Sequence, residues 1–286
     1  MKIGIIGMGF VGGATKHVFE KVHEVLPYDK FKSPYNTSKH LEIIAKEAKA
    51  IFICVPTPMK KSGEIDYSPI HDAIRSLQDK VEESKIDTNN ILIVIKSTTV
   101  SGSTDKLDKK YPFRFAVNPE FLREKTAIED MENTDRIVLG VGDSDGERIL
   151  REIYEPIFPE ANYAFVNRKT AEMIKYAANV TLTGQIVIAN IICKICEMQD
   201  IDYSILRKEI LRDKRIGTNT EVPGPDGDYG FGGKCFPKDL RALTFLSREI
   251  GAPFHLLEEL WRSNLDLRKE KDWEEILGAT SKNSFD

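Results

Sequence analysis

The chain has 286 residues, of which 41% are hydrophobic and 30% charged, a composition typical of a globular protein with one large domain or two. Lysine and arginine number 41 against 45 aspartates and glutamates, a net charge of −4, which gives no support to a nucleic-acid or membrane-surface partner. Four cysteines are too few for a disulfide scaffold, and no uninterrupted apolar run reaches the roughly 20 residues of a membrane-spanning helix, so we expect a cytoplasmic protein without a membrane partner.

Up to residue 165 the sequence alternates short β-branched runs with amphipathic stretches. The predicted strands are residues 2–6, 24–28, 50–55, 91–95, 113–117 and 136–141. The predicted helices between them are residues 12–22, 37–48, 69–81 and 145–157. Several strands are apolar throughout, as strands buried on both faces are. This order predicts an α/β domain with a doubly wound parallel sheet, which we place at residues 1–166.

After residue 166 the alternation stops. One helix is predicted from residue 168 to about 199, with apolar residues on most faces and no proline. Further helices are predicted at residues 202–211, 237–250 and about 253–277, with a glycine- and proline-rich loop at 218–234. A helix that is apolar nearly all round is buried inside a domain or between subunits. We therefore predict an all-helical central domain at residues 167–286 and a homodimer with the long helix at its interface.

The first predicted strand is followed by a glycine-rich turn, GMGFVG at residues 7–12. Two glycines permit a tight turn and let backbone N–H groups approach a pyrophosphate, and the third lets the helix pack on the strand. Asp29 follows the next strand, about 20 residues on, where a carboxylate accepts from the adenosine ribose 2′-OH. This pattern predicts a Rossmann-type NAD site, and the alternative is a purely structural turn. The Asp29 carboxylate would repel the 2′-phosphate of NADP, which favours NAD, and the nearby Lys30 and Lys32 weaken that preference. The predicted contacts are Gly7, Gly9, Phe10, Val11, Gly12 and Asp29.

A second glycine cluster surrounds a cysteine, in GFGGKCFPKD at residues 230–239; we call residues 230–235 the cysteine loop. Three glycines let the main chain approach a ligand. Cys235 stands at the start of a predicted helix, where the helix dipole favours the reactive thiolate. Lys238 and Asp239 add a cation and a potential base within one turn. The pattern favours a nucleophile as much as its alternative, a glycine-rich turn around a buried thiol.

Three further motifs accompany the cysteine loop: KST at residues 96–98, NPEFLRE at 118–124, and Lys175 with Asn179 on the long helix. Together, in this order and over residues 1 to about 265, they resemble the UDP-glucose/GDP-mannose dehydrogenase family. The resemblance implies NAD-dependent oxidation of the C6 alcohol of a nucleotide sugar to a carboxylate, with UDP-glucose as the expected substrate. In that chemistry a thiolate adds to the aldehyde, the thiohemiacetal gives up a hydride, and the thioester is hydrolysed.

The resemblance also implies catalytic roles for matching side chains. Cys235 is the expected nucleophile, and Lys175 and Asn179 are expected to stabilise the oxyanion of the tetrahedral species. Asp239 and the Thr98 hydroxyl are expected to position a water as general base.

Further contacts follow from the same resemblance. Glu120 is expected to assist hydrolysis, and Glu124 to face nicotinamide and sugar. Arg215 resembles an arginine that helps bind the nucleotide phosphates, in some members across the dimer. The additional NAD contacts expected are Thr57, Thr98, Glu124 and Lys238. The substrate contacts expected are Glu120, Phe121, Leu122, Arg123, Glu124, Lys175, Asn179, Arg215 and Gly232.

Some features depart from the family pattern. Members usually continue into a further C-terminal domain that binds UDP, which this chain is expected to lack. Asp226 and Asp228 precede the glycine cluster near the expected path of a pyrophosphate, which is electrostatically unfavourable unless they face solvent or bind a cation. Family members have a lysine a few residues after the acid that binds the ribose. In this chain Pro34 occupies that position, and Lys32 can substitute for the lysine.

Other functions stay open. A two-electron dehydrogenase of the β-hydroxyacid type shares the two-domain plan and the Lys/Asn pair, but the cysteine loop speaks against it. A truncated relative could bind NAD or a sugar nucleotide without turnover. Cys193 and Cys196 form a CxxC, but they fall within the long helix with no nearby histidine, so we predict buried thiols and no metal site.

Overall fold

The computed structural model describes residues 1–281, and the chain divides into two compact units. Unit one comprises Met1–Thr57 and Tyr67–Lys175, and unit two comprises Pro58–Asp66 and Tyr176–Asp286. The last five residues of the second predicted domain, 282–286, lie outside the described residues. The domain division predicted after residue 166 stays a prediction.

Unit one is built on a seven-stranded sheet in the order β2-β1-β3-β4-β5-β6-β7. The strands are β1 (Lys2–Ile6), β2 (Glu24–Tyr28), β3 (Ala50–Ile53), β4 (Leu92–Ile95), β5 (Arg114–Val117), β6 (Arg136–Val141) and β7 (Asn162–Asn167). Every residue of β3 and β4 is apolar and buried, because both faces of the sheet centre are covered. Strand β2 lies at the sheet edge, where Pro27 is tolerated because no further strand requires its missing N–H.

Helices cover both faces of this sheet. They are α1 (Phe10–Phe19), α2 (Ser38–Glu47), α3 (Ser68–Glu83), α4 (Ser103–Lys110), α5 (Ala127–Glu132) and α6 (Ser144–Tyr154). Successive residues of a strand belong to different cores: Ala50 and Phe52 pack into one apolar cluster, Ile51 and Ile53 into another. The alternation follows from the period of two along a strand. The predicted doubly wound α/β architecture is therefore confirmed.

The sheet differs from the prediction in its second half. Strands β5 and β6 pair antiparallel, with Val117 opposite Gly140, so the sheet is mixed rather than wholly parallel. Strand β7, which pairs parallel with β6, was not predicted, and neither were α4 and α5. Helix α5 has six residues and α4 eight, mostly polar, and helices this short carry little periodic signal.

Unit two is helical, as predicted. The long helix α7 (Arg168–Met198) begins in unit one and continues into unit two, followed by α8 (Tyr203–Ile210), α9 (Phe236–Glu249) and α10 (His255–Leu267). The prediction that the last helix runs to about residue 277 is wrong. Helix α10 ends at Leu267, and Arg268 has extended backbone, φ −87° and ψ 132°, with its side chain paired to Asp226 and Asp272. A short 3₁₀ turn, Asp272–Glu274, follows.

Helix α7 is long and apolar enough to cross a membrane by length and composition alone, a test that the buried core helices of soluble proteins also pass. Helix α7 contains no uninterrupted apolar run of about 20 residues, because Thr, Asn and Gln residues are interspersed along it. The absence of a membrane partner therefore stays a prediction.

Glu172 anchors the first turns of α7 in unit one. Its buried carboxylate accepts hydrogen bonds from Thr99 Oγ1 at 3.0 Å, from Gly102 N at 2.6 Å, and from Thr104 N and Oγ1 at 2.9 and 2.7 Å. Burial raises the pKa of Glu172, and these hydrogen bonds offset the rise only in part. The carboxylate thus satisfies the first backbone N–H groups at the start of α4, where a helix leaves its donors unpaired.

We expect Glu172→Ala to lower the free energy of unfolding by about 1–3 kcal/mol or more, because buried donors are left unpaired. Chemical denaturation followed by circular dichroism measures the change. Glu83→Ala is the matched control, because Glu83 pairs with Lys80 on the surface of α3 and surface pairs contribute about 0–1 kcal/mol. Equal losses in the two variants would contradict the anchoring role.

The raised pKa of Glu172 also gives a pH dependence with a definite sign. The folded state holds the Glu172 proton more tightly than the unfolded state does. This group's contribution therefore falls as pH rises from the unfolded pKa of about 4.3 through the raised folded pKa. Denaturation curves across that range should show a smaller pH-dependent loss in Glu172→Ala than in the parent.

Candidate active site

The glycine turn of unit one opens directly in front of α1. Gly7 has φ +98°, in the left-handed region, and a Cβ there would lie 2.7 Å from the carbonyl oxygen of Cys54. A Cβ on Gly12 would overlap the carbonyl oxygen of Gly7, so α1 packs closely on the turn. Gly9 precedes the first residue of α1, and a Cβ built there would meet nothing within 4 Å. This open backbone at a helix N-terminus suits a phosphate.

Asp29 lies beside the glycine turn with its carboxylate held in place. Its Oδ2 accepts from Met8 N at 2.7 Å, and its Oδ1 accepts from the N–H groups of Phe31 and Lys32 at 2.8 and 2.9 Å. The Lys32 ammonium donates to the carbonyl oxygen of Met8 at 3.0 Å. The open backbone at Gly9 and this fixed carboxylate fit a dinucleotide, with Asp29 at the ribose position.

Four further predicted NAD contacts of unit one follow the carboxyl ends of neighbouring strands. Phe10 and Val11 are the first residues of α1. Thr57 follows β3 and is buried, and Thr98 follows β4 and is half-buried. Because β1, β3 and β4 are neighbouring parallel strands, their carboxyl ends meet at one edge, where ligands bind in open α/β sheets.

Glu120 and Lys175 form a buried ion pair in unit one. The Lys175 ammonium lies 3.2 Å from Glu120 Oε1, and each side chain is 5% exposed. The second carboxylate oxygen accepts from Leu122 N at 2.6 Å. The Phe121 ring centroid lies 5.6 Å from the ammonium. Charges this well buried depend on each other, because removing one leaves the other without compensation.

Arg123 and Glu124 are exposed, unlike Glu120. The Arg123 guanidinium contacts Asp130 at 2.6 Å, and a hydrogen bond from Arg123 is the main reason why the pKa of Asp130 falls to about 2. Glu124 begins the 3₁₀ turn Glu124–Thr126. The structure thus brings Glu120 and Lys175 together and places Arg123 in a surface ion pair.

Unit two contains a second buried cluster, at the start of α9. Cys235 is half-buried and directly precedes α9, and its carbonyl oxygen accepts from Asp239 N at 2.8 Å. The Asp239 carboxylate accepts from Asn179 Nδ2 and from Lys238 Nζ, each at 2.5 Å. Asp239 is 1% exposed. Asn179, Lys238 and Asp239 therefore meet one helical turn after the thiol.

Two asparagines that sequence reasoning missed hold the cysteine loop. Gly230 N donates to Asn190 Oδ1 at 3.0 Å, and Phe231 N donates to Asn264 Oδ1 at 2.7 Å. Asn264 Nδ2 in turn donates to the Phe231 carbonyl oxygen at 3.0 Å. The signal for both was an asparagine on the buried face of a predicted helix, which requires a polar partner.

The motifs KST and NPEFLRE are joined by a hydrogen bond inside unit one, which the sequence did not reveal. Lys96 of KST donates to Oδ1 of Asn118, the first residue of NPEFLRE, at 2.5 Å. The Tyr154 hydroxyl donates to the same oxygen at 2.5 Å. Burial lowers the pKa of Lys96 and raises that of Tyr154. This pairing ties the loop after β4 to the loop after β5.

Arg215 lies on the surface of unit two. Its side chain is 90% exposed and contacts Asp213 at 2.5 Å. The turn that carries it packs against α7, since a Cβ on Gly217 would lie 2.6 Å from the Gln185 side chain.

The remaining features predicted in unit two also have definite surroundings. Asp226 pairs with Arg268 at 2.7 Å, and Asp228 accepts backbone hydrogen bonds, so both acids of this turn have partners. Cys193 and Cys196 are buried thiols, and across residues 1–281 no group of three or more metal-ligating side chains could hold a metal ion.

Comparison with known proteins gives matches along most of the chain. Residues 20–158 match the NAD-binding domain of the UDP-glucose/GDP-mannose dehydrogenase family, and residues 169–266 match its central domain. The UDP-glucose 6-dehydrogenase of Rickettsia bellii is 39% identical over 241 residues, 82% of this chain and 52% of that protein. That of Rhizobium meliloti is 30% identical over 319 aligned positions, 98% of this chain and 70% of that protein.

A solved structure agrees with these matches. A UDP-glucose dehydrogenase from the archaeon Pyrobaculum islandicum superposes with a TM-score of 0.80 at 26% identity, covering 93% of this chain and 68% of that one. The chain spans about half the length of several curated relatives that it matches. The resemblance inferred from the motifs is confirmed, and NAD is the cofactor of these enzymes. Two domain models match successive parts of the chain, and the Rhizobium meliloti enzyme aligns with 98% of it. The chain therefore belongs to the UDP-glucose/GDP-mannose dehydrogenase family.

Proposed function

We propose that this chain carries out the NAD-dependent four-electron oxidation of a nucleotide sugar, UDP-glucose to UDP-glucuronate, through a thioester on Cys235. The observation that carries the proposal is the thiol at the start of α9 with the buried Asn179–Asp239–Lys238 cluster one turn later. The relatives named UDP-glucose 6-dehydrogenase support the choice of substrate.

NAD, when bound, accepts a hydride in each of the two oxidations. The first oxidation turns the C6 alcohol into an aldehyde. The Cys235 thiolate then adds to the aldehyde carbon, and the new carbon–sulfur bond makes a thiohemiacetal that can lose a second hydride and a proton. Water attacks the resulting thioester, the carbon–sulfur bond breaks, and the carboxylate leaves while the thiol is regenerated.

The buried side chains have proposed roles in these steps. Lys175 and Asn179 stabilise the oxyanion of the tetrahedral species, and Asp239 with Thr98 positions the hydrolytic water. The Asn179 amide and the Lys238 ammonium each hold one oxygen of the Asp239 carboxylate, so its orientation is set before a substrate arrives. Preorganised groups of this kind need no rearrangement during the reaction.

The other assignments belong to the same proposal. Residues 1–166 bind NAD, residues 167–286 form the central catalytic and dimerisation domain, and the protein is cytoplasmic. The proposed NAD contacts are Gly7, Gly9, Phe10, Val11, Gly12, Asp29, Thr57, Thr98, Glu124 and Lys238. The proposed substrate contacts are Glu120, Phe121, Leu122, Arg123, Glu124, Lys175, Asn179, Arg215 and Gly232.

The NADH yield per sugar tests the reaction. We expect the parent to form two NADH per UDP-glucose and Cys235→Ala to lose the second oxidation, because the variant lacks the sulfur that carries the acyl intermediate in this mechanism. Cys235→Ser should stall as an ester that hydrolyses slowly. Absorbance of NADH at limiting UDP-glucose gives the yield.

The control for this experiment is Cys193→Ala, which removes a buried thiol on α7 and should keep the parental yield. Two NADH from Cys235→Ala would contradict the thioester mechanism. A parental yield of one would indicate a two-electron dehydrogenase, and a yield of zero a chain that binds without turnover.

Cofactor choice tests the NAD assignment. We expect Asp29→Ala to weaken NAD binding by about 1–3 kcal/mol, the value of the lost ribose hydrogen bonds, and to narrow the difference between NAD and NADP. Calorimetric titration with both cofactors measures this ratio. Because Asp29 also accepts three backbone hydrogen bonds, Asp29→Asn is measured as well: its single oxygen can still accept from Phe31 N and Lys32 N, whereas the acceptor for Met8 N is lost. An unchanged ratio would contradict the ribose role.

A homodimer is part of the proposal, with α7 at its interface. Ile188, Ile191, Ile195 and Met198 are 57%, 42%, 55% and 82% exposed, and their spacing places them on one side of the helix, as in a coiled-coil seam. Ile216, beside Arg215 on the turn that packs on α7, is 39% exposed. A second copy covering this stripe would also meet the exposed Arg215, consistent with the role expected for it.

We expect the parent to sediment as a dimer and Ile195→Glu to be monomeric at 32.4 kDa, because a charge placed in an apolar seam loses its hydration without gaining a partner. Analytical ultracentrifugation at micromolar concentration distinguishes the two states. Leu256→Glu is the control, because Leu256 is an apolar residue on α10 that is 73% exposed, more than the 55% of Ile195. A monomeric parent would contradict the proposal, since obligate interfaces bury about 2,000 Å² or more and do not dissociate at that concentration.

A further inference from the structure

The segment that follows α10, residues 268–281, folds back onto unit two, and we call it the strap. Met59 N donates to the carbonyl oxygen of Ala279 at 2.9 Å, and Ser281 N donates to that of Met59 at 2.9 Å. Trp273 is 3% exposed and packs in one apolar cluster with Met59 and Ala279. The far end of the strap is therefore fixed, and its first residues contact the cysteine loop and the turn before it.

Arg268, the first residue of the strap, is a buried cation between two carboxylates. Its side chain is 3% exposed, with Nη2 2.7 Å from Asp226 and 3.2 Å from Asp272. Nη1 donates to the carbonyl oxygen of Tyr229 at 3.4 Å. The guanidinium thus joins the turn before the cysteine loop to the 3₁₀ turn of the strap. A buried cation between opposite charges fixes geometry even where it contributes little net stability.

Asp228 binds the strap through its backbone. Its Oδ2 accepts from Lys269 N at 3.2 Å and from Glu270 N at 3.0 Å. Burial opposes ionisation of this carboxyl, but the backbone N–H groups and the positive charge of Arg268 together outweigh burial, so the pKa of Asp228 lies below its ordinary value. Asp226 and Asp228, which the sequence places near the expected path of a pyrophosphate, therefore hold residues 268–270.

The strap also contacts the backbone just before the thiol. Asp272 Oδ2 accepts from Gly233 N at 3.0 Å. A Cβ on Gly232 would overlap both the Arg268 guanidinium and the Asp272 carboxylate. The two side chains therefore pack directly against the glycines that lie three and two residues before Cys235, and this contact requires a residue without a side chain.

We propose that Arg268 and Asp272 are positioning residues for Cys235. By holding the backbone of Gly232 and Gly233, they fix where the thiol stands at the start of α9. Addition of sulfur to an aldehyde carbon requires close alignment, and a displacement of about 1 Å costs on the order of 100-fold in rate. The catalytic consequence rests on the proposed nucleophilic role of Cys235, whereas the effect on thiol reactivity does not.

Alkylation of the full chain by iodoacetamide tests the positioning without turnover. In Asp272→Ala and Arg268→Ala, we expect alkylation at Cys235, located by peptide mass analysis, to slow by about fivefold or more, because a loosened loop no longer holds the thiol at the helix start. Asp272→Asn keeps an oxygen acceptor for Gly233 N and should restore most of the parental rate. In turnover, kcat should fall by about 10- to 100-fold, with the KM for NAD within about twofold of the parent.

The matched controls are Arg262→Ala, an exposed arginine on α10, and Glu274→Ala in the same 3₁₀ turn as Asp272; both should keep the parental alkylation rate. If Arg268→Ala does not fold, Asp272→Ala and Asp226→Asn decide the outcome. A folded Asp272→Ala whose rate rises or stays within about twofold, or an Asp272→Asn that restores nothing, would overturn the proposal. The two proposals can fail separately. If the parent forms no second NADH per UDP-glucose but Asp272→Ala still slows alkylation at Cys235, the thioester mechanism is refuted and the positioning role stands.

Discussion

The long helix α7 imposes a constraint on every segment that packs against it, because each buried polar group that it carries needs a partner or costs about 1–3 kcal/mol. Glu172 is paired with the donors of residues 99–104, Lys175 with Glu120, Asn179 with Asp239, and Asn190 with the backbone of Gly230. Apolar packing alone tolerates small shifts between elements, but a hydrogen bond about 3 Å long does not. In unit one, residues 99–104 and Glu120 are therefore held by polar contacts with α7, and in unit two Asp239 and Gly230 are held in the same way.

Buried charge is concentrated in the same places. Lys175 pairs with Glu120, Lys238 with Asp239, and Arg268 lies between two aspartates. Such pairs are weak contributors to stability, because desolvation offsets much of their attraction. Their value in this protein is orientation: Asp239 and Glu120 each have both carboxylate oxygens engaged. A carboxylate that cannot rotate is suited to hold a water or a substrate group in one position.

Local patterns in the sequence were enough for much of the fold. The bounds of β1, β2 and β6, the glycine turn and the acid at Asp29 all follow from short-range spacing, and the structure places them as expected. The antiparallel pairing of Val117 with Gly140 and the end of α10 at Leu267 did not follow. Both depend on partners distant in sequence, and periodicity shows which face of an element is buried but not what covers it. Asn264 and Arg268 were missed for the same reason, since their partners lie in a loop without periodicity.

The pairing of Met59 with Ala279 and Ser281 has a consequence for the order in which the chain folds. Closing so long a loop carries a conformational-entropy penalty that must be met before the contact contributes. During synthesis, Pro58–Asp66 leaves the ribosome while the rest of unit two is still untranslated, and it lacks its partners until residues 268–281 follow. Unit one does not include Pro58–Asp66, and all the strands of its sheet have been synthesised once residue 167 has been added. Unit two is therefore completed only after residue 281 has emerged, and until then Met59 and Trp273 lack the cluster in which they are buried.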